Sequence, residues 1–113
     1  KKEGVVYARN ARTHQDMPLY FQFYEDQQKN KERLNVNHAV KRLKIPFLIV
    51  HGTADNAVNY SDALEIKRSA AKANLLTIEG ADHTFGVKHP FVGNVLPLAA
   101  EEVLVKTIRF FVN

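Results

Sequence analysis

Two residues carry the chemistry that this sequence can be read for. Asp55 lies in His51-Gly52-Thr53-Ala54-Asp55 and His83 lies in Gly80-Ala81-Asp82-His83-Thr84-Phe85. A carboxylate that holds one imidazole nitrogen leaves the other as a directed general base, which is the second half of a Ser-His-Asp arrangement. Taken singly, each has a plainer reading: Asp55 as a turn or cap residue, His83 as a loop histidine. Of the other histidines, His51 ends an apolar run and reads as a packing or hydrogen-bonding residue. His14 and His38 lie in a polar segment, His89 precedes Pro90, and none of the three has a partner at useful spacing. No His-Glu-x-x-His or similar spacing joins His51, Asp55, Asp82, His83 or His89, so no metal and no cofactor is expected. The chain has no cysteine, which excludes thiol catalysis, disulfide scaffolding and zinc-thiolate sites and is compatible with a reducing compartment.

The elements that must position Asp55 and His83 can be read around them. Ile45–Val50 is a short continuous apolar run, as in a strand buried on both faces of a parallel sheet, with Pro46 near its start. Leu75–Glu79 reads as a second strand. Between them Ala63, Ile66, Ala70 and Ala73 make a narrow apolar stripe at helical spacing, with Ser61 as the expected N-cap and Asn74 as the expected stop. From Ala99 to residue 112, Ala100, Leu104, Ile108 and Phe111 repeat at helical spacing, widened by Val103 and Phe110. Strand–loop–helix–strand–loop–helix implies an α/β fold with parallel strands and crossover helices. Ligands in such sheets sit at the carboxyl ends of the strands, where Asp55 and His83 both fall. Upstream, Val5–Ala8 reads as a short strand. Met17-Pro18 reads as a helix start, with Tyr20, Phe23, Tyr24 and Gln27 on one face and Asn30 as the stop. Val36, Val40 and Leu43 mark a second short helix with basic residues at its end.

Taken together, the strand into His51-Gly52-Thr53-Ala54-Asp55-Asn56-Ala57-Val58 and the loop Gly80–Phe85 resemble the α/β-hydrolase family, most closely its dienelactone hydrolase-like and prolyl-oligopeptidase-like branches. The order acid then histidine agrees with the family order, and the interval of 28 residues holds one helix and one strand. The resemblance covers residues 44–113 well. It implies the C-terminal part of an α/β-hydrolase core over 45–113, preceded over 1–44 by a helical insertion or cap-like segment. It also implies that Asp55 holds the imidazole of His83, and that His83 relays the proton of a serine in carboxylic ester or peptide hydrolysis. Asp82 is then a loop-stabilising or solvated acid, and Phe85 and Phe91 are candidates to line the substrate side. The chain departs from the family pattern in lacking a Gly-x-Ser-x-Gly elbow: its serines are Ser61 and Ser69, both in the expected helix after the acid loop.

The 113 residues suffice for one core. They open Lys1-Lys2-Glu3 without Met or a signal-peptide pattern. Two strands alone make a poor sheet. The expectation is therefore the C-terminal fragment of a serine hydrolase, inactive without its nucleophile and prone to self-association through exposed strand edges. The alternative is a small non-enzymatic α/β binding module. The net charge of +4 does not point to nucleic acid: residues 1–46 hold ten Lys/Arg against five Asp/Glu, interleaved, and the rest is nearly balanced. No apolar run is long enough to span a membrane. Asn59-Tyr60-Ser61 matches a glycosylation acceptor but is read as a helix start, and localisation is left open.

Overall fold

The computed structural model describes residues 4–112, so Lys1-Lys2-Glu3 and Asn113 lie outside the described residues. The chain forms two compact units, one ending at Asn35 and one starting at Val36.

In the first unit, β1 (Val5–Arg9) pairs antiparallel with β2 (Asp16–Tyr20), Val5 opposite Tyr20 and Arg9 opposite Asp16. The Asn10 side chain shapes the connection, its Oδ1 accepting from the N–H groups of Arg12 at 2.9 Å and Thr13 at 3.1 Å. β2 corrects the expectation of a helix starting at Met17-Pro18. The cross-strand register claims this segment, and Pro18 is tolerated because both strands of a two-stranded ribbon are edges. Helix α1 (Phe21–Lys29) follows at once and stops at Asn30 as expected, where the Asn30 N–H donates to the Asp26 carbonyl at 2.9 Å. Phe23, Tyr24 and Gln27 line one apolar cleft with Val5, Leu19 and Phe21.

The second unit begins with α2 (Val36–Lys41), which packs on α3 (Tyr60–Ser69) and is tied to it by Asn37 Nδ2 donating to Glu65 Oε1 at 2.8 Å. β3 (Leu48–Gly52) and β4 (Asn74–Ile78) pair in parallel, Leu48 opposite Asn74 and Gly52 opposite Ile78, with α3 as the crossover. Ile49, Ala63 and Ala73 form the core with Phe47, Tyr60, Ile66, Ala70 and Leu75 packed round them. The small alanines let α3 lie close on the sheet.

Several boundaries move from their expected places. Pairing starts past Pro46, where the Phe47 carbonyl accepts from the Asn74 N–H at 2.9 Å, and it carries His51 and Gly52 into the strand. Asn74 is thereby drawn into β4 rather than ending α3, which closes at Ala70. The N-cap of α3 is Asn59, not Ser61: Asn59 Oδ1 accepts the Ser61 N–H at 3.2 Å. The last helix, α4 (Leu98–Val112), packs on both β3 and β4 and buries no residue fully.

Candidate active site

The ends of β3 and β4 are laced together by backbone. Thr53 N–H donates to the Ile78 carbonyl at 3.1 Å and Ala54 N–H to the Ala81 carbonyl at 3.0 Å. Thr53 Oγ1 accepts the Gly80 N–H at 2.7 Å and donates to Glu79 Oε1 at 3.2 Å. Gly52 makes this approach possible, since a Cβ there would collide with the Ala81 carbonyl. Gly80, at φ +73°, supplies the left-handed step by which the chain leaves β4.

The lacing brings Asp55 and His83 together. His83 Nδ1 and Asp55 Oδ2 are 2.8 Å apart. Because the carboxylate can only accept, Nδ1 carries the proton and Nε2 of the neutral ring is left as a base. The Asp55 side chain is 5% exposed and that of His83 57%. Oδ1 of Asp55 accepts the N–H groups of Ala57 and Val58, each at 2.8 Å. Burial alone pushes the Asp55 carboxyl up, but the Val58 N–H, the His83 ring and the Ala57 N–H outweigh it and hold the group at about 2.

The His83 loop is tied by Asp82, whose Oδ1 accepts from the N–H groups of Gly86 at 2.8 Å and Thr84 at 3.2 Å. The Gly86 bond leads in holding the Asp82 carboxyl below its usual value, against a desolvation that raises it. Phe85 takes a left-handed φ of 54° in the same loop and is half-buried, while Phe91 is 49% exposed. Ser61 and Ser69 stand in the first turn and at the last residue of α3.

His51 packs and hydrogen-bonds as expected, and it also has a neighbour in Asp55. The ring is buried, its Nδ1 lies 2.8 Å from the Gly52 carbonyl, and it meets Tyr60 edge-on at 5.6 Å. Its Nε2 faces Asp55 Oδ2 at 3.7 Å. The spacing of four between the two residues, across the end of a strand, gave no sign of this approach. The contact arises only because the loop folds back over the strand end. His14 lies in the β-hairpin, His38 in α2 and His89 before Pro90. Among the described residues no cluster of three or more His, Asp or Glu side chains gathers in a way that could hold a metal ion.

The sequence profile of the TAP-like protein family of α/β-hydrolases matches residues 21–90. No curated protein matches the chain. Among solved structures, Est1E from Butyrivibrio proteoclasticus is similar with a TM-score of 0.65, at 24% identity over 97% of this chain and 39% of its own. The structure titled for ferulic acid bound to Est1E from Butyrivibrio proteoclasticus gives a TM-score of 0.60, at 23% identity over 94% of this chain and 37% of its own. The chain thus spans well under half the length of either solved structure. With an α/β arrangement of matching fold and a family profile covering more than half of its residues, the chain belongs to the α/β-hydrolases, in the TAP-like family.

Proposed function

We propose that this chain supplies the acid and the base of a Ser-His-Asp triad in a serine hydrolase of carboxylic esters or peptides, with the nucleophile carried on chain outside these residues. The observation that carries the reading is the 2.8 Å bond between Asp55 Oδ2 and His83 Nδ1, made by a carboxylate that is nearly buried and anchored by two backbone donors. In the proposed mechanism Asp55 fixes the ring in the tautomer whose Nε2 is bare. Nε2 takes the proton of the serine hydroxyl as its oxygen attacks the substrate carbonyl. The imidazolium, stabilised by Asp55, then returns that proton to the leaving alcohol or amine, and a water repeats the sequence to release the acid. Asp82 acts on the loop and not on the substrate. Phe85 and Phe91 are proposed to border the acyl or leaving group.

The reading makes the 113-residue chain inert by itself. Removal of the nucleophile from such a triad costs about six orders of magnitude in kcat. The test is hydrolysis of chromogenic short-chain esters by the 113-residue chain and by a longer chain extended upstream. We expect activity only in the longer chain, together with a Gly-x-Ser-x-Gly segment upstream. Turnover by the short chain that is lost in His83→Ala would overturn the separation of nucleophile from base. An upstream sequence with no such segment would favour the binding module instead.

A further inference from the structure

The two oxygens of Asp55 are served unequally. Among the described residues Oδ1 takes two backbone N–H groups, while Oδ2 takes a single donor, His83 Nδ1. On the other side of Oδ2, at 3.7 Å, stands Nε2 of His51. That nitrogen is shut off from solvent and has no hydrogen-bond partner among the described residues. The opposite ring nitrogen, Nδ1, lies 2.8 Å from the Gly52 carbonyl, which can only accept, so the ring proton is on Nδ1 and Nε2 of the neutral ring is bare. The ring is held in this pose. Tyr60 lies edge-on against it, and the Tyr60 hydroxyl is itself bonded to Thr77 Oγ1 at 2.6 Å. A buried polar atom without a partner costs stability, so its placement beside the one carboxylate of the site calls for a reason.

We propose that His51 is a positioning residue for the Asp55–His83 pair. With its proton on Nδ1, it closes the inner side of Asp55 Oδ2 to water and to any second donor, and so reserves that oxygen for His83. The proposal rests on the reading of Asp55 and His83 as acid and base. A donor at the place of Nε2 would share Oδ2 and loosen the preference of His83 for its Nδ1–H form. A bare wall there leaves the preference whole. The titratable groups near the ring are Asp55 on its own loop and Tyr60 on α3, with His83 and Asp82 reached through Asp55; β4 brings Thr77, and the charged side chains of α4 are exposed.

The test is nitrogen-detected NMR of the histidine rings in the 113-residue chain, at a pH where the imidazoles are neutral, because the nitrogen shifts report which atom carries the proton. In the unsubstituted chain we expect His51 protonated on Nδ1 alone and His83 protonated on Nδ1. His51→Gln, which sets an amide donor where Nε2 stands, is expected to move a measurable share of His83 to the Nε2–H form. His51→Phe, a ring without a donor, is expected to keep the original ratio. A purely structural role would alter stability in both variants and move the ratio in neither. A proton on His51 Nε2 in the unsubstituted chain, or an unchanged His83 ratio in His51→Gln, would overturn the proposal. Asp55→Asn separates the two readings. If it shifts the His83 ratio while the His51 variants do not, only the role of His51 falls; if it leaves the ratio unchanged, the Asp55–His83 pair falls with it.

Discussion

At the scale of the residue, Asp55 is anchored by backbone on one oxygen and by His83 on the other. The Ala57 and Val58 N–H groups bind one oxygen, and the turn they make aims the other at His83. The carboxyl is held at about 2, below its ordinary 3.8, so the sign of its link to folding is fixed. The unfolded chain takes up the proton first. The contribution of Asp55 to stability is therefore complete above the ordinary value and is lost as pH falls through about 2. Urea midpoints measured from pH 5 to pH 2 are expected to drop through this window and to drop less steeply in Asp55→Asn; equal slopes would contradict the assignment. The meeting of Asp55 with His83 was legible in sequence because each follows an apolar run by a few residues, and parallel strands bring such loops to one edge. The approach of His51 to the same carboxylate was not legible. It depends on how the loop from Thr53 to Val58 folds back, and that is set by hydrogen bonds to the β4 loop that no spacing in the sequence displays.

At the scale of the element, the site depends on how closely β3 and the loop after β4 can approach. Gly52 is the point of closest passage. Gly52→Ala would push the Ala81 carbonyl away and with it the Ala54–Ala81 bond that sets the height of the acid loop. We expect a loss of about 1–3 kcal/mol in unfolding free energy, as for other overpacked positions, together with loss of the His83 Nδ1–H preference in NMR. A variant as stable as the parent, with the tautomer intact, would show that the approach has slack. The elements themselves were legible to different degrees. The stripe of Ala63, Ile66 and Ala70 announced α3, and the apolar runs announced both strands. Their ends were not legible, because partners decide them. Asn74 can stop a helix or start a strand, and the Phe47 carbonyl settles which. Likewise Pro18 is a good first residue of a helix, but the register with Tyr7 places it in β2.

At the scale of the whole molecule, the parallel pair is packed against α3 and α4 and is open at its edges. Among the described residues β3 and β4 hydrogen-bond as strands only to each other, which leaves each with an open edge. α4 leaves Leu98 85% and Phe111 72% exposed. Open edges and apolar helix faces pair with whatever is offered. We propose that the isolated chain self-associates through them; a clean monomer in sedimentation at high concentration would contradict this. The chain matches 39% of the length of Est1E, and the fold class was legible from that partial span because the strand–helix–strand alternation is local. We propose that Asp55 and His83 are the acid and base of a serine hydrolase. The most direct measurement is the kcat for ester hydrolysis by a chain extended upstream to include the proposed nucleophile, with and without Asp55→Asn. The expected result is a fall of roughly four orders of magnitude, because the amide no longer holds His83 with its proton on Nδ1. A kcat within a few fold of the parent would remove Asp55 from the triad.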